Sequence, residues 1–459
     1  MGIVTSLCNF VIFILYNTGK YLEGVKMVIE RLQLNDFRGI HELELDLQGK
    51  STVLYGINGV GKSSVLAAIN LMYANFINRL VKQRFKQSVK ADDSDIKYKK
   101  GSAIVAADFR FNKEQNLYKY TLPIYRKNSN KINLSKDLIY LVRHYEDLYI
   151  KEDKVDENNN LISTNEDSNI PIFVNYGVNR LVLKTPLRIR KKESFGQYTA
   201  FEKAIENQIA FDKLFEWFLE QELYETQRQK VEPEYEDVSL KAVKSAMLAM
   251  LDGYSNVHIT ARPYSMKVYK GTDVLDILQL SDGEKCTLAL FGDLARRLTI
   301  ANPSLENPLE GTGVALIDEI ELHMHTSWQR KIIQVLKETF PNIQFIITTH
   351  SPQVLGEISE DFNIFSLYRD GEDVICNRYE SFFGVDSNAV LEDAFQTDSV
   401  NKEIKNKVNE MYRYIEEKNY EEAEKIIDEI ELLTRNRNRD TVRGRMLVRK
   451  GKRVNASNS

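Results

Sequence analysis

Short apolar runs, set between glycine-rich and polar stretches, organise this chain. Thr52–Tyr55 (TVLY) and Val314–Ile317 (VALI) read as short buried strands, and IQFIITTH, ending at His350, reads as a third. MVIERLQLNDF from Met27, AIVAADFRF, KYTLPIY and PIFVNYGVNRLV read as further strands. Helical spacing appears instead in VLAAINLMY after residue 64 and in CTLALFGDLARRL after residue 285, where Arg296 and Arg297 near the helix end suit its dipole. FEKAIENQIAFDKLFEWFLEQELYETQRQK forms a charged helical region without a sustained heptad. Strands alternating with helices predict an α/β fold.

Near the C-terminus, residues 401–433 predict two short helices joined at Lys418-Asn419. Val408, Met411, Tyr412 and Ile415 would face Ala423, Ile426, Ile427 and Ile430. The polar run KEDKVDENNNLISTNEDSN reads as an exposed linker.

Composition narrows the class. The 459 residues are 43% hydrophobic and 28% charged, with a formal charge of −4, enough for one large or two moderate cores and too neutral for a protein that coats nucleic acid. The charge is uneven: from Arg435 onward nine Lys/Arg face one Asp, a basic tail suited to nucleic-acid contact or simply solvated. Cys8, Cys286 and Cys376 form no CxxC pair, which predicts a reduced, cytoplasmic protein without a disulfide framework. CNFVIFILY is only nine residues long, against the roughly 20 that a spanning helix needs. Residues 1–26 therefore read as a dispensable extension, with a weak membrane anchor as the alternative.

The chemistry begins at GINGVGKSS, Gly56–Ser64. Strand, glycine loop and helix in that order turn this G-x-x-x-x-G-K-S octet into a triphosphate site. Backbone amides across Asn58, Gly59, Val60, Gly61 and Ser64 would wrap phosphate, Lys62 would reach the β and γ phosphates, and the Ser63 hydroxyl would ligate Mg2+. The second apolar strand ends in Asp318-Glu319, an acid pair able to hold the magnesium and to polarise the attacking water, respectively. His350 would touch the γ-phosphate from the carboxyl edge of the sheet. Glu319, Glu321, His323 and His325 also alternate acid and imidazole; a metal cluster is one reading, a loop after the acids that packs against the partner's site the preferred one.

LQLSDGEKC, Leu278–Cys286, is the ambiguous stretch. Ser281-x-x-Glu284 matches a capping box, and Gly283 would leave backbone exposed as an anion seat. Local physics alone stops at a helix cap.

Taken in order, GINGVGKSS, LSDGEK, ALIDEIELHMH and TTHSPQVL resemble an ABC-type ATPase of the SMC and OLD kind, from about Met27 to Arg378. The resemblance implies a P-loop ABC-type head of mixed sheets with flanking helices, an inserted α+β and helical arm, and a C-terminal helical hairpin. Its divisions are ATPase lobe I at 27–75, lobe I strands plus the arm at 76–252, lobe II at 253–400, the hairpin at 401–433 and the basic tail at 434–459. It also implies that Ser281 and Gly283 contact the γ-phosphate of ATP held by the opposite protomer, so that two Mg-ATP are sandwiched in a head-to-tail dimer. Asp318 and Glu319 match the metal-binding and catalytic acids, and His350 the switch histidine.

Two departures matter. The glutamine loop has no clear counterpart: Gln87 is a candidate, but Asp92–Tyr98 falls in that region. The Toprim nuclease of OLD proteins is also missing after His350. With SFFGVDSNAVLEDAF and the hairpin there instead, the layout resembles the PtuA-type ATPases of Septu and retron anti-phage systems. That implies a separate HNH nuclease partner and a higher oligomer. A DNA-repair ATPase that binds DNA directly, and an ATP-gated scaffold with little hydrolysis, are the alternatives.

Overall fold

The computed structural model describes residues 26–81, 89–111, 114–126, 136–150, 154–155, 161–163, 168–180, 196–395, 401–435 and 438–457. The N-terminal extension, Gln87 and most of the polar linker lie outside these residues. In chain order the strands are β1 Met27–Asn35, β2 Glu42–Asp46, β3 Ser51–Tyr55, β4 Ser102–Phe111, β5 Tyr118–Tyr125, β6 Lys154–Val155, β7 Leu161–Ser163 and β8 Ile172–Tyr176. They continue with β9 Tyr254–Ala261, β10 Tyr264–Lys270, β11 Asp273–Asp276, β12 Gly313–Ile317, β13 Ile343–Thr349, β14 Phe362–Asp370 and β15 Asp373–Tyr379. The helices are α1 Lys62–Leu80, α2 Lys136–Tyr149, α3 Phe211–Gln229, α4 Val238–Leu248, α5 Asp282–Ala301, α6 Thr326–Thr339 and α7 Pro352–Leu355. After them come α8 Ser387–Asp393, α9 Lys402–Glu416, α10 Tyr420–Thr434 and α11 Arg439–Ser457. The chain divides into two units, Met1–Gly384 and Val385–Ser459.

In the first unit, the continuous apolar runs become a six-stranded sheet in the order β15-β14-β3-β13-β12-β8. All of its neighbouring pairs are parallel except β14 with β15. Every residue of β3, β8, β12 and β13 is buried, as expected of strands covered on both faces. The carboxyl ends of β3, β12 and β13 lie side by side, because Ile347 pairs with both Val53 and Ile317. This register brings the phosphate loop, the acid pair and His350 to one edge.

A second, antiparallel sheet, β2-β1-β4-β5, alternates buried and half-exposed positions. Its strand β1 carries an irregularity between Ile29 and Arg31. The buried Gln344 side chain of β13 receives the Ile29 amide at 2.8 Å and donates to the carbonyls of Ile29 and Lys50 at 3.0 and 3.1 Å. One amide thereby ties the two sheets together and satisfies backbone groups that would otherwise be buried without partners.

The segment between the phosphate loop and Ser281 supplies β4 and β5 to the second sheet, β8 to the central one, and helices α3 and α4. α3 and α4 pack on α5 at Gly292, where an added Cβ would meet Leu214 Cδ2 at 2.8 Å and Met247 Cγ at 2.9 Å. Arg296 and Arg297 correct their expected role. Both are buried, and both donate to Asp293, at 2.8 and 2.7 Å, rather than facing the helix dipole from solvent. Tyr176 donates to the same carboxylate at 3.0 Å. Removing one member of such a buried pair would leave an uncompensated charge in the core.

In the second unit, Met411, Ala423, Ile427 and Val448 form the core, flanked by Val408, Tyr412, Ile415 and Ile426. The hairpin faces meet as their spacing predicts. The basic segment differs from the expected tail, because it forms helix α11 and inserts Val448 into that core. Arg445 is held by Asp428 and Glu431, and Lys452 by Glu424. Among the described residues, no helix is long and apolar enough to cross a membrane.

Candidate active site

The phosphate loop is shaped by glycines that other residues could not replace. Gly56 has φ 144°, and a Cβ there would lie 2.2 Å from the Leu367 carbonyl oxygen. Gly61 ends the loop at φ 114° and forms the N-cap of α1 without any side-chain cap. The amides of the first turn are therefore not claimed by a side-chain cap at Gly61. Lys62 is buried and donates to the carbonyls of Gly56 and Ile57 at 2.8 and 3.0 Å. Burial lowers its pKa to about 8, against the pull of Asp318, Glu319 and Glu321.

The Ser63 hydroxyl donates to Asp318 Oδ1 at 3.1 Å across 255 residues of sequence. Thr348, one strand over, donates to the same oxygen at 2.5 Å and accepts the Glu319 amide at 2.8 Å. Glu319 itself sits at φ 47°. Left-handed backbone is costly for a residue with a Cβ and persists where its surroundings hold it. Thr349 and the His350 amide both donate to the Glu321 carboxylate, at 2.8 and 2.6 Å, and burial raises its pKa. Burial, followed by the nearby Lys62 charge, lowers the His350 pKa, so its ring is neutral at pH 7.

These groups enclose a pocket of about 280 Å3. Asn58, Gly59, Gly61, Lys62, Ser63, Ser64, Asp318, Glu319 and His350 line it together. Val60 does not; its side chain is packed in the core. Ser281 and Gly283 stand apart at the start of α5, outside the pocket lining. The capping box there is complete: the Glu284 amide donates to Ser281 Oγ at 3.3 Å, and the Ser281 amide donates to the Glu284 carboxylate at 2.9 Å. Gly283 is buried, not exposed as expected, because an added Cβ would lie 2.6 Å from the His323 carbonyl oxygen. His325 caps α6 by accepting the Ser327 amide. Within its own chain, the loop after the acids caps α6 through His325 and closes over Gly283 through the His323 carbonyl.

Four contributors escaped the sequence reading. Arg369, on β14, lines the pocket and reaches the Gly59 carbonyl at 3.4 Å. Gly39, also at the lining, leaves room for that guanidinium. Glu321 ties the ends of β12 and β13, and buried Arg180 reaches the carbonyls of the acid pair. Arg369, Gly39 and Arg180 have no motif of their own, and Glu321 shows in sequence only as one acid of an alternating acid and imidazole run; Arg180 stands 138 residues from Asp318 in sequence.

Known proteins resemble this chain over most of its length. The chain is 28% identical over 445 residues to "Retron Ec83 probable ATPase" of Escherichia coli, across 83% of this chain and 78% of that protein. It is 29% identical to "Retron Vc95 probable ATPase" of Vibrio cholerae serotype O1 biovar El Tor, across 76% and 75%. To "Septu protein PtuA" of Bacillus thuringiensis it is 24% identical, across 72% and 73%. The family described as "AAA domain, putative AbiEii toxin, Type IV TA system" matches residues 51–356, a span of 306 of the 459 residues that runs from β3 through α7. The chain belongs to that AAA domain family and is an ATPase.

Proposed function

We propose that this protein binds Mg-ATP at the phosphate loop, hydrolyses it, and dimerises head to tail around two such nucleotides. The observation that carries the reading is the Ser63–Asp318 contact at 3.1 Å, beside Lys62, Glu319 and His350 in one pocket. A hydroxyl and a carboxylate, both oxygen donors open to solvent on one side, fit magnesium. Ser63 and Asp318 would hold that ion, which supplies charge neutralisation on the phosphate oxygens.

The remaining work falls to the chain. Lys62 leaves the loop carbonyls to pair with the β and γ phosphates. Glu319 accepts a proton from the attacking water as its oxygen bonds to the γ-phosphorus. The bond to the β–γ bridging oxygen breaks, releasing ADP and phosphate. Neutral His350 donates its ring N–H to the γ-phosphate. Ser281 completes the site of the second protomer, a reading supported by its exposure at the start of α5, outside the pocket of its own chain; Gly283 is buried beside it and would reach that site only after the His323 loop shifts.

ATP-driven closure would serve anti-phage defence, a setting supported by the retron and Septu names of the relatives, and would control a partner nuclease of the HNH type, which rests on the resemblance of the layout alone. Direct DNA binding by the basic segment has less support, since Arg445 and Lys452 are already engaged by carboxylates.

Phosphate release by the wild type and by Glu319→Gln tests the reading. Turnover should fall by about 100-fold or more in the variant, as for loss of a catalytic base, while ATP affinity is retained. Equal rates in the two proteins would refute it.

A further inference from the structure

Arg180 lies just beyond β8, in a loop with no phosphate-binding pattern, yet it is only 2% exposed. A buried guanidinium is expensive and is retained where its donors have defined work. Here a single nitrogen, Nη2, donates to the Asp318 carbonyl at 2.9 Å and also to the Glu319 carbonyl. It touches neither acid's carboxylate in these contacts, and it does not line the pocket.

Glu319 needs this support more than its neighbours do. Its left-handed backbone must be held from both sides. On the amide side the Thr348 hydroxyl holds it, at 2.8 Å. On the carbonyl side the donors are Arg180 and the Leu322 amide, the latter at 3.0 Å. Arg180 is the charged member of that set, and charge-assisted hydrogen bonds are about twice as strong as neutral ones.

We infer that Arg180 is a positioning residue for hydrolysis: by gripping the backbone of both acids, its guanidinium fixes the direction in which the Glu319 carboxylate enters the phosphate pocket. This rests on the proposed role of Glu319. The phosphate loop is built from β3 and α1 without Arg180, and the Asp318 carboxylate keeps its own contacts with Ser63 and Thr348, so nucleotide binding does not depend on the grip.

Steady-state ATP hydrolysis and binding of a fluorescent ATP analogue, measured on the full chain, test this with Arg180→Met and Arg180→Lys. Loss of aim by about 1 Å costs on the order of 100-fold in rate. Arg180→Met should therefore show kcat reduced about 100-fold with KM and analogue affinity within about twofold of wild type. Arg180→Lys, with a shorter and more strongly hydrated donor, should fall between. Adding either change to Glu319→Gln should lower its residual rate no further, since there is no base left to aim. Wild-type kcat in Arg180→Met would overturn the inference, as would full additivity with Glu319→Gln. If Arg180→Met fails to fold, Arg180→Lys decides alone, and wild-type kcat there would overturn it. A wild-type protein that does not turn over ATP would instead count against the proposed function.

Discussion

Two helix N-termini in this protein are built in opposite ways. α1 starts at Gly61, with left-handed backbone, no side-chain cap and no acidic residue in its first turn. α5 starts at Ser281 with both halves of a capping box, and with Asp282 and Glu284 in its first turn. By local stability alone, α5 is the better helix start, since capping and first-turn acids each stabilise by up to about 1 kcal/mol or more. α1 leaves its amides and its positive dipole end to an outside anion, and Lys62 adds charge at the same place. The difference teaches how to tell a phosphate seat from a structural cap: the seat is under-satisfied within its own chain. It also sharpens the role proposed for Ser281. Its hydroxyl donates to Glu284 Oε2 at 2.8 Å, so it must leave that carboxylate before it can serve a phosphate on a second molecule.

The comparison can be broken first at α1. Lys62→Ala should weaken ATP binding by about 100-fold or more by titration calorimetry, because a buried charge directed at phosphate is lost. Unchanged affinity would remove the loop from the site. At α5, Ser281→Arg should leave ATP affinity of the monomer intact and lower turnover by at least about tenfold, a loss of transition-state stabilisation of about 1.4 kcal/mol. Normal turnover there would reduce Ser281 to a cap.

A gentler probe is pH. With a folded-state pKa of about 8, Lys62 loses its proton above that value in the free protein, while a bound triphosphate would favour the charged form. ATP affinity should be flat below pH 8 and then fall as pH rises, by at most about tenfold per unit. A flat profile to pH 10 would contradict the coupling. Stability runs with the opposite sign. The unfolded chain binds more protons between about 8 and the ordinary lysine value of 10.5, so this group's cost to stability is full below pH 8 and is relieved as pH rises through that window. The smallest expected effect is that of Ser281→Ala: loss of about 1 kcal/mol of helix capping, seen as a slightly lower denaturation midpoint.

Much of the site was legible because its chemistry is contiguous. The phosphate loop and the acid pair each lie on one strand end, where an apolar run stops and polar residues begin. Those runs also foretold the central strands. What escaped depends on pairing between distant segments. Arg180, Glu321 and Arg369 gain their roles only when β8, β12, β13 and β14 are set in register; no local pattern marks Arg180 or Arg369, and the alternating run that contains Glu321 does not reveal its hold on Thr349 and His350. Arg296 and Arg297 looked like charges for a helix end, since sequence does not show that Asp293 and Tyr176 would enclose them. The basic segment looked like a tail for the same kind of reason. Its charges dominate the composition, while buried Val448 and Thr441 and the close contacts of Gly444 and Gly451 decide the packing.

In the proposed dimer, the uncapped N-terminus of one molecule and the capped N-terminus of the other are two halves of one catalytic site. Mixing Lys62→Ala with Ser281→Arg tests it directly. Each variant alone should be nearly inactive. In an equal mixture, half of the dimers pair one variant with the other, and each of these holds one intact site, formed by the Ser281→Arg phosphate loop and the Lys62→Ala capped helix. Hydrolysis should then recover to about a quarter of the wild-type rate, as expected for a two-fold assembly with two independent sites. A mixture no more active than its two components would contradict the shared site.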